Sequence, residues 1–519
     1  MKYLVKKISA VVLMALSLAA CRKESDRLHD FSYHDVLVFN DATKSFGSKF
    51  KILWEGLNSN YAIWDYEAEQ GLDWDKVYDT YYPRFAELDT FSVRREVKDE
   101  ELLKLLTEVL GPLHDGHLCV SMKNHSTGNT VTFYPHSARM DKERAQELAD
   151  LVLFDHPTLS YYMQKGTVKD IKSVDATFKT QYNDSQGAAR KWVRKTLGDL
   201  SGKTVVTAEE LTLQQTAQAL EAELDALKDL TDNTVIADAF NKIALRYGYL
   251  QIPGFHTLEP ALTDKDLRMT YALLEGNIAY LSFNKFIITP FLTTLKEQSK
   301  DMEPYAAALV QQAENVWASW FYAIQELHAS GQLGGVIIDV RCNGGGMTSD
   351  YAYALGALVP SGGHHVSDNR FKRGVGRYDY SPITPEILPT YEGEHVTVTE
   401  PIVVLANGRS ASMAETTSLG TRRLENAKLV GTRTWGGMCS IADNSVYSYT
   451  YAGHVGVAGE TPVTVYCPAA ASLDLDGTIL EGVGITPDIE VPLDMKTWNL
   501  GLGPDSQLDR AIEYIVSGK

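Results

Sequence analysis

Two serines follow an apolar run and a turn in Pro401–Glu415, PIVVLANGRSASMAE. Ile402–Ala406 has the composition of a strand, Asn407-Gly408 is a turn pair, and Met413, Ala414 and Glu415 open a helix-forming segment. Ser410 and Ser412 therefore stand at a strand-to-helix turn. A hydroxyl there is exposed at a sheet edge, and helix N-terminal N–H groups face whatever it attacks. The chemistry this permits is nucleophilic attack. The same spacing also fits a helix cap, because Ser412 followed three residues later by Glu415 is a capping box. Taken alone, the stretch supports both readings.

A serine needs a base to lose its proton near neutral pH. His114 and His117 lie in Gly111-Pro112-Leu113-His114-Asp115-Gly116-His117, where Gly, Pro and Asp-Gly enforce a tight connection into the strand-like Leu118–Met122. A third segment, Asp339-Val340-Arg341-Cys342-Asn343-Gly344-Gly345-Gly346, puts three glycines directly after a buried-strand pattern. Glycine lets backbone N–H groups approach a ligand closely, as an oxyanion hole or a phosphate cradle requires. The loop lacks both the Lys-Ser/Thr ending of a P-loop and the spacing of a dinucleotide fingerprint.

The elements that must position these residues follow from periodicity. Phe46, Phe50, Leu53, Trp54 and Leu57, then Leu102, Leu103, Leu105, Leu106, Val109 and Leu110, recur at helical spacing and define a helical region over 35–122 ending in the histidine loop. Aromatic residues between them, Tyr61, Trp64, Trp74, Tyr78 and Tyr82, are read as core and helix contacts. Residues 123–275 read as a helix-rich insertion, with helices over Asp141–Leu153 and Ala208–Leu230 and a turn at Tyr182–Gly187. From Gly276 the pattern changes to strand (Gly276–Phe286), amphipathic helix (Tyr305–His328) and apolar strand (Gly334 onward), which implies a βαβ crossover in a mixed sheet. A helix over Ser349–Leu358, strands at Lys428–Val430, Asn444–Tyr451 and Thr461–Cys467, and a terminal helix at Asp505–Val516 complete residues 276–519, the expected catalytic core. The fold class is α/β (α+β).

Acidic residues outnumber basic ones, 67 against 49, giving a net charge of −18 with no long basic run. That balance argues against nucleic acid as a partner. The first 21 residues read as a secretory signal: Lys2, Lys6 and Lys7 precede the apolar run Ile8–Ala20, which is too short to prefer spanning a membrane. Leu18-Ala19-Ala20-Cys21 resembles a bacterial lipobox, making Cys21 the lipidated membrane anchor, with 22–34 as a tether and the cell envelope as the destination. The remaining cysteines, Cys119, Cys342, Cys439 and Cys467, lack CxxC spacing, and thiolate zinc is not expected.

The ordered motifs GVIIDVRCNGGG, PIVVLANGRSASMAE, KLVGTRTWGG and EGVGITPDIEV, with LHDGHL upstream, resemble the S41 family of serine peptidases. That family includes the C-terminal processing proteases, the tricorn core and a retinoid-binding protein. The resemblance covers roughly Phe46–Val120 and Gly276–Val516 and implies a core of the ClpP/crotonase-like type. It places the nucleophile at Ser412. The lysine used by the processing proteases falls at Gly437, so a Ser/Lys dyad is absent. The tricorn-like branch, which also carries TWGG, uses a histidine at the position of His117 and a glutamate at that of Glu481. Motif position favours His117 over His114. Where that branch has a serine beside its histidine, this sequence has Gly116.

The oxyanion hole would then come from Gly345 or Gly346 together with Met413. The implied activity is hydrolysis of peptide bonds through an acyl-enzyme, with a peptide or protein substrate and no metal or other cofactor. Residues 123–275 lack the carboxylate loop and strand series of the PDZ domain common in the family. The missing lysine and Gly116 motivate an alternative, an inactive lipoprotein that keeps the fold and binds peptide or lipid.

Overall fold

A computed structural model describes residues 45–518, apart from 91–95, 155, 204–206, 231–232, 259–265, 299–303, 357, 374–375, 391–397, 442–449, 452–453 and 456–461. The signal and tether expected over 1–34, Cys21 included, and most of the strand expected at Asn444–Tyr451 lie outside the described residues. Among the described residues, no helix is long and apolar enough to cross a membrane. Cys119, Cys342, Cys439 and Cys467 are free thiols.

The described residues begin with α1 (Phe46–Asn60), α2 (Trp64–Glu69), α3 (Trp74–Glu87) and α4 (Asp99–Leu110), and the histidine loop leads from α4 into β1 (Cys119–Lys123) and β2 (Thr130–Phe133). Short helix α5 (Pro135–Arg139), then α6 (Lys142–Phe154) and α7 (Ser160–Lys165), precede β3 (Val168–Asp175). Next come α8 (Phe178–Ser201), α9 (Ala208–Asp225), α10 (Asn233–Tyr247), β4 (Arg268–Leu274), β5 (Ile278–Phe283), α11 (Pro304–Ala329) and β6 (Gly335–Asp339). Strands β7 (His364–Phe371), β8 (Thr384–Leu388) and β9 (Ile402–Ala406) lead to α12 (Met413–Arg422) and β10 (Ala427–Gly431). The C-terminal part holds β11 (Thr450–Tyr451), β12 (His454–Val455), β13 (Val463–Tyr466), β14 (Ala470–Leu473), β15 (Ile489–Glu490) and α13 (Ser506–Ser517).

Seven strands form one mixed sheet in the order β15-β10-β9-β6-β5-β4-β3. Pairing from β15 to β5 is parallel, and β4 and β3 add antiparallel. Every residue of β5, β6 and β9 is buried. Continuous apolar runs of this kind are what strands covered on both faces require. Alternation then sorts the side chains: Ile402, Val404 and Ala406 join the core that includes α11, whereas Val403 and Leu405 join the one that includes α13. The expected β5–α11–β6 crossover is present.

Three regions differ from the sequence reading. Tyr182–Gly187, expected as a turn, lies inside the 24-residue helix α8. Thr177 caps that helix and its Gln181, Ser185, Ala189, Val193 face is buried, so tertiary packing overrides the local turn signal. The helix expected over Ser349–Leu358 is a 3-10 turn plus the four residues Tyr351–Ala354. Residues 123–275 also supply β3 and β4 to the main sheet and β2 to a five-stranded antiparallel sheet ordered β11-β12-β13-β1-β2.

That second sheet closes the fold around the histidine loop. Phe46, Phe50, Leu53, Trp64, Leu106 and Leu110 share one core with Val463, Val465 and Cys467. On the other side, Arg341, after β6, is fully buried. It donates to Asp339 Oδ1 (2.9 Å), Asp505 Oδ1 (2.9 Å) and Gln507 Oε1 (3.0 Å). Asp505 also caps α13, so the glycine loop and the terminal helix share one buried ion network. Arg341→Ala leaves two buried carboxylates without their cation, and the expected loss is about 3–5 kcal/mol, measurable as a lowered urea midpoint.

Candidate active site

The strand β9 to helix α12 junction carries the two serines, and they have different surroundings. Ser410 is fully buried. Its Oγ donates to the Val340 carbonyl (2.8 Å) and accepts from the Asn407 N–H (3.0 Å). Ser412 lines an open cleft and has φ 56° and ψ −121°. A non-glycine residue in that region costs on the order of 1–3 kcal/mol and persists only where neighbours hold it. Here the holding group is Glu415. Its carboxylate accepts from the Ser412 N–H (3.2 Å), as a capping box predicts. It also accepts from Thr434 Oγ1 (2.6 Å), Gly436 N–H (2.8 Å) and Gly437 N–H (2.7 Å). The Gly437 carbonyl closes the circuit by accepting from the Ser412 N–H (3.0 Å).

The cleft, of about 370 Å³, is also lined by His117, Gly344, Gly345, Gly346, Met413 and Met438. Gly345 has φ 89°, and a Cβ on it would lie 2.5 Å from the Ser412 Cβ, so only glycine allows this approach. Its N–H donates to Asn343 Oδ1 (2.8 Å). Among the described residues, the N–H groups of Gly346 and Met413 have no protein acceptor.

Glu481 is fully buried. Oε1 accepts from the Gly116 N–H (2.6 Å), and Oε2 accepts from the N–H groups of Met438 (2.7 Å) and Cys439 (2.6 Å). The His117 Nδ1 lies 3.9 Å from Glu481 Oε1, an ion-pair distance longer than a hydrogen bond, and this nitrogen has no hydrogen-bond partner among the described residues. Burial lowers the His117 pKa, and the Glu481 charge pulls it partly back. The imidazole is therefore neutral near neutral pH, the form that accepts a proton. His114 is taken up elsewhere: its Nδ1 meets Glu67 Oε2 at 2.7 Å and its N–H donates to Glu67 Oε1 at 2.7 Å.

Asp115, passed over in the sequence, belongs to this cluster. Its Oδ1 accepts from the N–H groups of His117 (2.7 Å) and Leu118 (2.9 Å), fixing the loop that presents the imidazole. The Asp-Gly turn signal could have identified that role. Its Oδ2 is buried without a partner. Burial and the Glu481 charge hold its carboxyl well above the usual range. Asp115, His117 and Glu481 each bring one possible metal-ligand atom to within 4.8 Å of the others.

Residues 246–491 match the model of peptidase family S41. The chain carries an S41 peptidase domain. It is 24% identical to a carboxy-terminal-processing protease of Bartonella bacilliformis over 390 residues, covering 74% of this chain and 73% of that protein. It is 25% identical to a tricorn protease of Thermoplasma volcanium over 200 residues, covering 35% of this chain and 15% of that protein. A crystal structure of mature CPAF aligns over 92% of this chain and 98% of its own, with 12% identity and a TM-score of 0.43.

The two departures from family motifs have steric counterparts here. A Cβ at Gly437, where the processing branch has lysine, would lie 3.3 Å from His117 Cε1. Any side chain there, lysine included, would press on the rings of Trp435 and His117. A Cβ at Gly116 would lie 2.1 Å from the Gly436 carbonyl oxygen. Gly116→Ser should push the 434–437 loop away and cost about 1–3 kcal/mol, visible as a lowered thermal midpoint. Burial raises the Glu415 pKa from 4.5 to about 7. The folded chain then keeps a proton that the unfolded chain has released, so this group's contribution to stability falls as pH rises through that window. Glu415→Gln should lower the urea midpoint throughout and flatten its pH dependence between about 4.5 and 7; an unchanged slope would contradict this assignment.

Proposed function

We propose that the chain is a serine endopeptidase in which Ser412 is the nucleophile, His117 the base and Glu481 the acid that orients it. The observation that carries the reading is that Ser412, held in a strained turn, and His117 line one cleft with the glycine loop. His117 Nδ1 faces Glu481, which leaves Nε2 for the serine. Ser412 Oγ attacks the peptide carbonyl carbon as its proton passes to Nε2, and the carbonyl oxygen becomes an oxyanion.

Gly346 and Met413 supply its N–H donors, while Gly345, whose own N–H goes to Asn343, shapes the loop beside the serine. One such donor contributes about 3 kcal/mol in comparable sites. The tetrahedral adduct collapses, the C–N bond breaks, and His117 returns the proton to the departing amine. Water then attacks the acyl-enzyme, again losing its proton to His117, and Ser412 leaves as the hydroxyl. The 3.9 Å gap to Glu481 closes by rotation of the imidazole when substrate is bound, as loose apo contacts at catalytic sites do.

A serine-reactive phosphonate should label Ser412, and Ser412→Ala should lower kcat/KM on order of 10⁴-fold or more. Unlabelled, inactive wild-type protein would overturn the reading and favour a binding role. Because His117 must be neutral, kcat/KM should rise with pH through a pKa below the ordinary 6.5. Glu481→Gln removes the upward pull, so its acid limb should move to lower pH while the plateau falls about 10²–10⁴-fold. The proposal extends to a lipid-anchored enzyme of the cell envelope, supported by Leu18-Ala19-Ala20-Cys21. Cys21→Ser should move the protein from the membrane fraction to the soluble one.

A further inference from the structure

Behind the His117 ring, three side chains converge with their bonding unfinished. One possible ligand atom each from Asp115, His117 and Glu481 lies within 4.8 Å of the others. His117 Nδ1 and Asp115 Oδ2 are buried without a hydrogen-bond partner among the described residues. Glu481 Oε1, which accepts the Gly116 N–H, lies 3.9 Å from that nitrogen. Both carboxylates are fully buried, and among the described residues neither forms an ion pair with a lysine or arginine.

Charges buried in this way are ordinarily paired or bound to a metal. A zinc ion about 2.0–2.2 Å from each donor spans the 3.9 Å between Nδ1 and Oε1. Imidazole with two carboxylates is a donor set zinc accepts, whereas calcium and magnesium select oxygen alone. The backbone already orients both acids. Asp115 Oδ1 stays bonded to the His117 and Leu118 N–H groups, and Glu481 Oε2 to those of Met438 and Cys439, as the hydrogen bonds behind metal ligands do. The His117 ring lines the open cleft, which gives an ion its path from solvent.

We propose that Asp115, His117 and Glu481 form an inhibitory zinc site behind the His117 imidazole. Binding needs only these three residues, while the inhibitory effect rests on the peptidase reading. A neutral imidazole that gives its Nδ1 lone pair to zinc carries its one proton on Nε2. It can then donate toward Ser412 Oγ but cannot take the hydroxyl proton, so the serine loses its base. Any proton on the Asp115 carboxyl passes to solvent as the ion enters. Removing the ion frees the Nε2 lone pair again.

The test uses the full-length wild-type chain, stripped of metal with EDTA, and zinc sulfate. Isothermal titration should show one site with a Kd of about 1 µM or lower. Over the same concentrations zinc should slow phosphonate labelling of Ser412 about 10²-fold or more, the contribution of a general base, and EDTA should restore it. Asp115→Asn keeps an oxygen for the two loop N–H groups and turns the free carboxylate oxygen into an amide. Loss of a group that merely orients a ligand costs about 10–100-fold in affinity, so loss of a ligand should weaken zinc binding about 100-fold or more. Glu481→Gln should produce the same loss, and the test stands on either variant that keeps the wild-type circular dichroism.

His365→Gln, at the exposed His365–Asp368 pair, should leave zinc binding and inhibition unchanged. The absence of saturable binding in the wild type overturns the site, as does a loss of binding in His365→Gln. Inhibition that persists undiminished in folded Asp115→Asn overturns it too, because zinc then acts from the Nε2 side of the ring. Labelling of the metal-free protein separates the two readings. Labelling that bound zinc leaves unchanged rejects the inhibitory site alone, whereas tight zinc binding lost in Asp115→Asn, with no labelling in metal-free protein, rejects the peptidase reading and retains the metal site.

Discussion

The Glu415 carboxylate is the interaction on which the site's geometry depends. It gathers the N–H groups of Ser412, Gly436 and Gly437 and the Thr434 hydroxyl around one buried side chain. Ser412 alone would relax from its positive φ, and the 434–437 loop alone has no strand to hold it. Joined through Glu415, each fixes the other. The loop then reaches the rest of the site: Trp435 Nε1 donates to the Gly116 carbonyl (3.0 Å), and the Gly436 carbonyl accepts from the Gly482 N–H (2.8 Å), next to Glu481.

Helices α5 and α6 brace this loop from behind. Arg144, nearly buried, donates to the Thr434 carbonyl at 2.7 Å, and the His136 ring lies 4.5 Å from that of Trp435. Residues 123–275 therefore do more than elaborate the surface, since they support the loop and complete the main sheet. Losing a donor at Arg144 would strand a buried carbonyl, at a cost of about 1–3 kcal/mol.

The sequence exposes what is local. Continuous apolar runs identify β5, β6 and β9, and the strand-turn-helix pattern at 402–415 isolates Ser412. Ser410 looks equivalent in sequence, and only its bonds to Val340 and Asn407 separate the two. His117 and His114 are likewise separated by Glu67, a partner 47 residues from His114. The capping-box pattern found Glu415 but showed one of its four donors, because the other three arrive from a loop 19 to 22 residues away. At Tyr182–Gly187, glycine and polar residues imitate a turn, and only the packed face of α8 reveals a helix. Such contacts carry no short-range signature, whereas hydrophobic period and turn chemistry do.

The Gly116–Glu481 hydrogen bond joins residues 365 positions apart, and β1, which follows the histidine loop, pairs with β13. The histidine side of the cleft is made early by a ribosome and its acid late. Contacts of such separation form after local ones. A growing chain therefore carries the His117 imidazole, Ser412 and the glycine loop before the Glu481 carboxylate is made, and the buried cluster of Asp115, His117 and Glu481 is assembled only once the chain has passed residue 481.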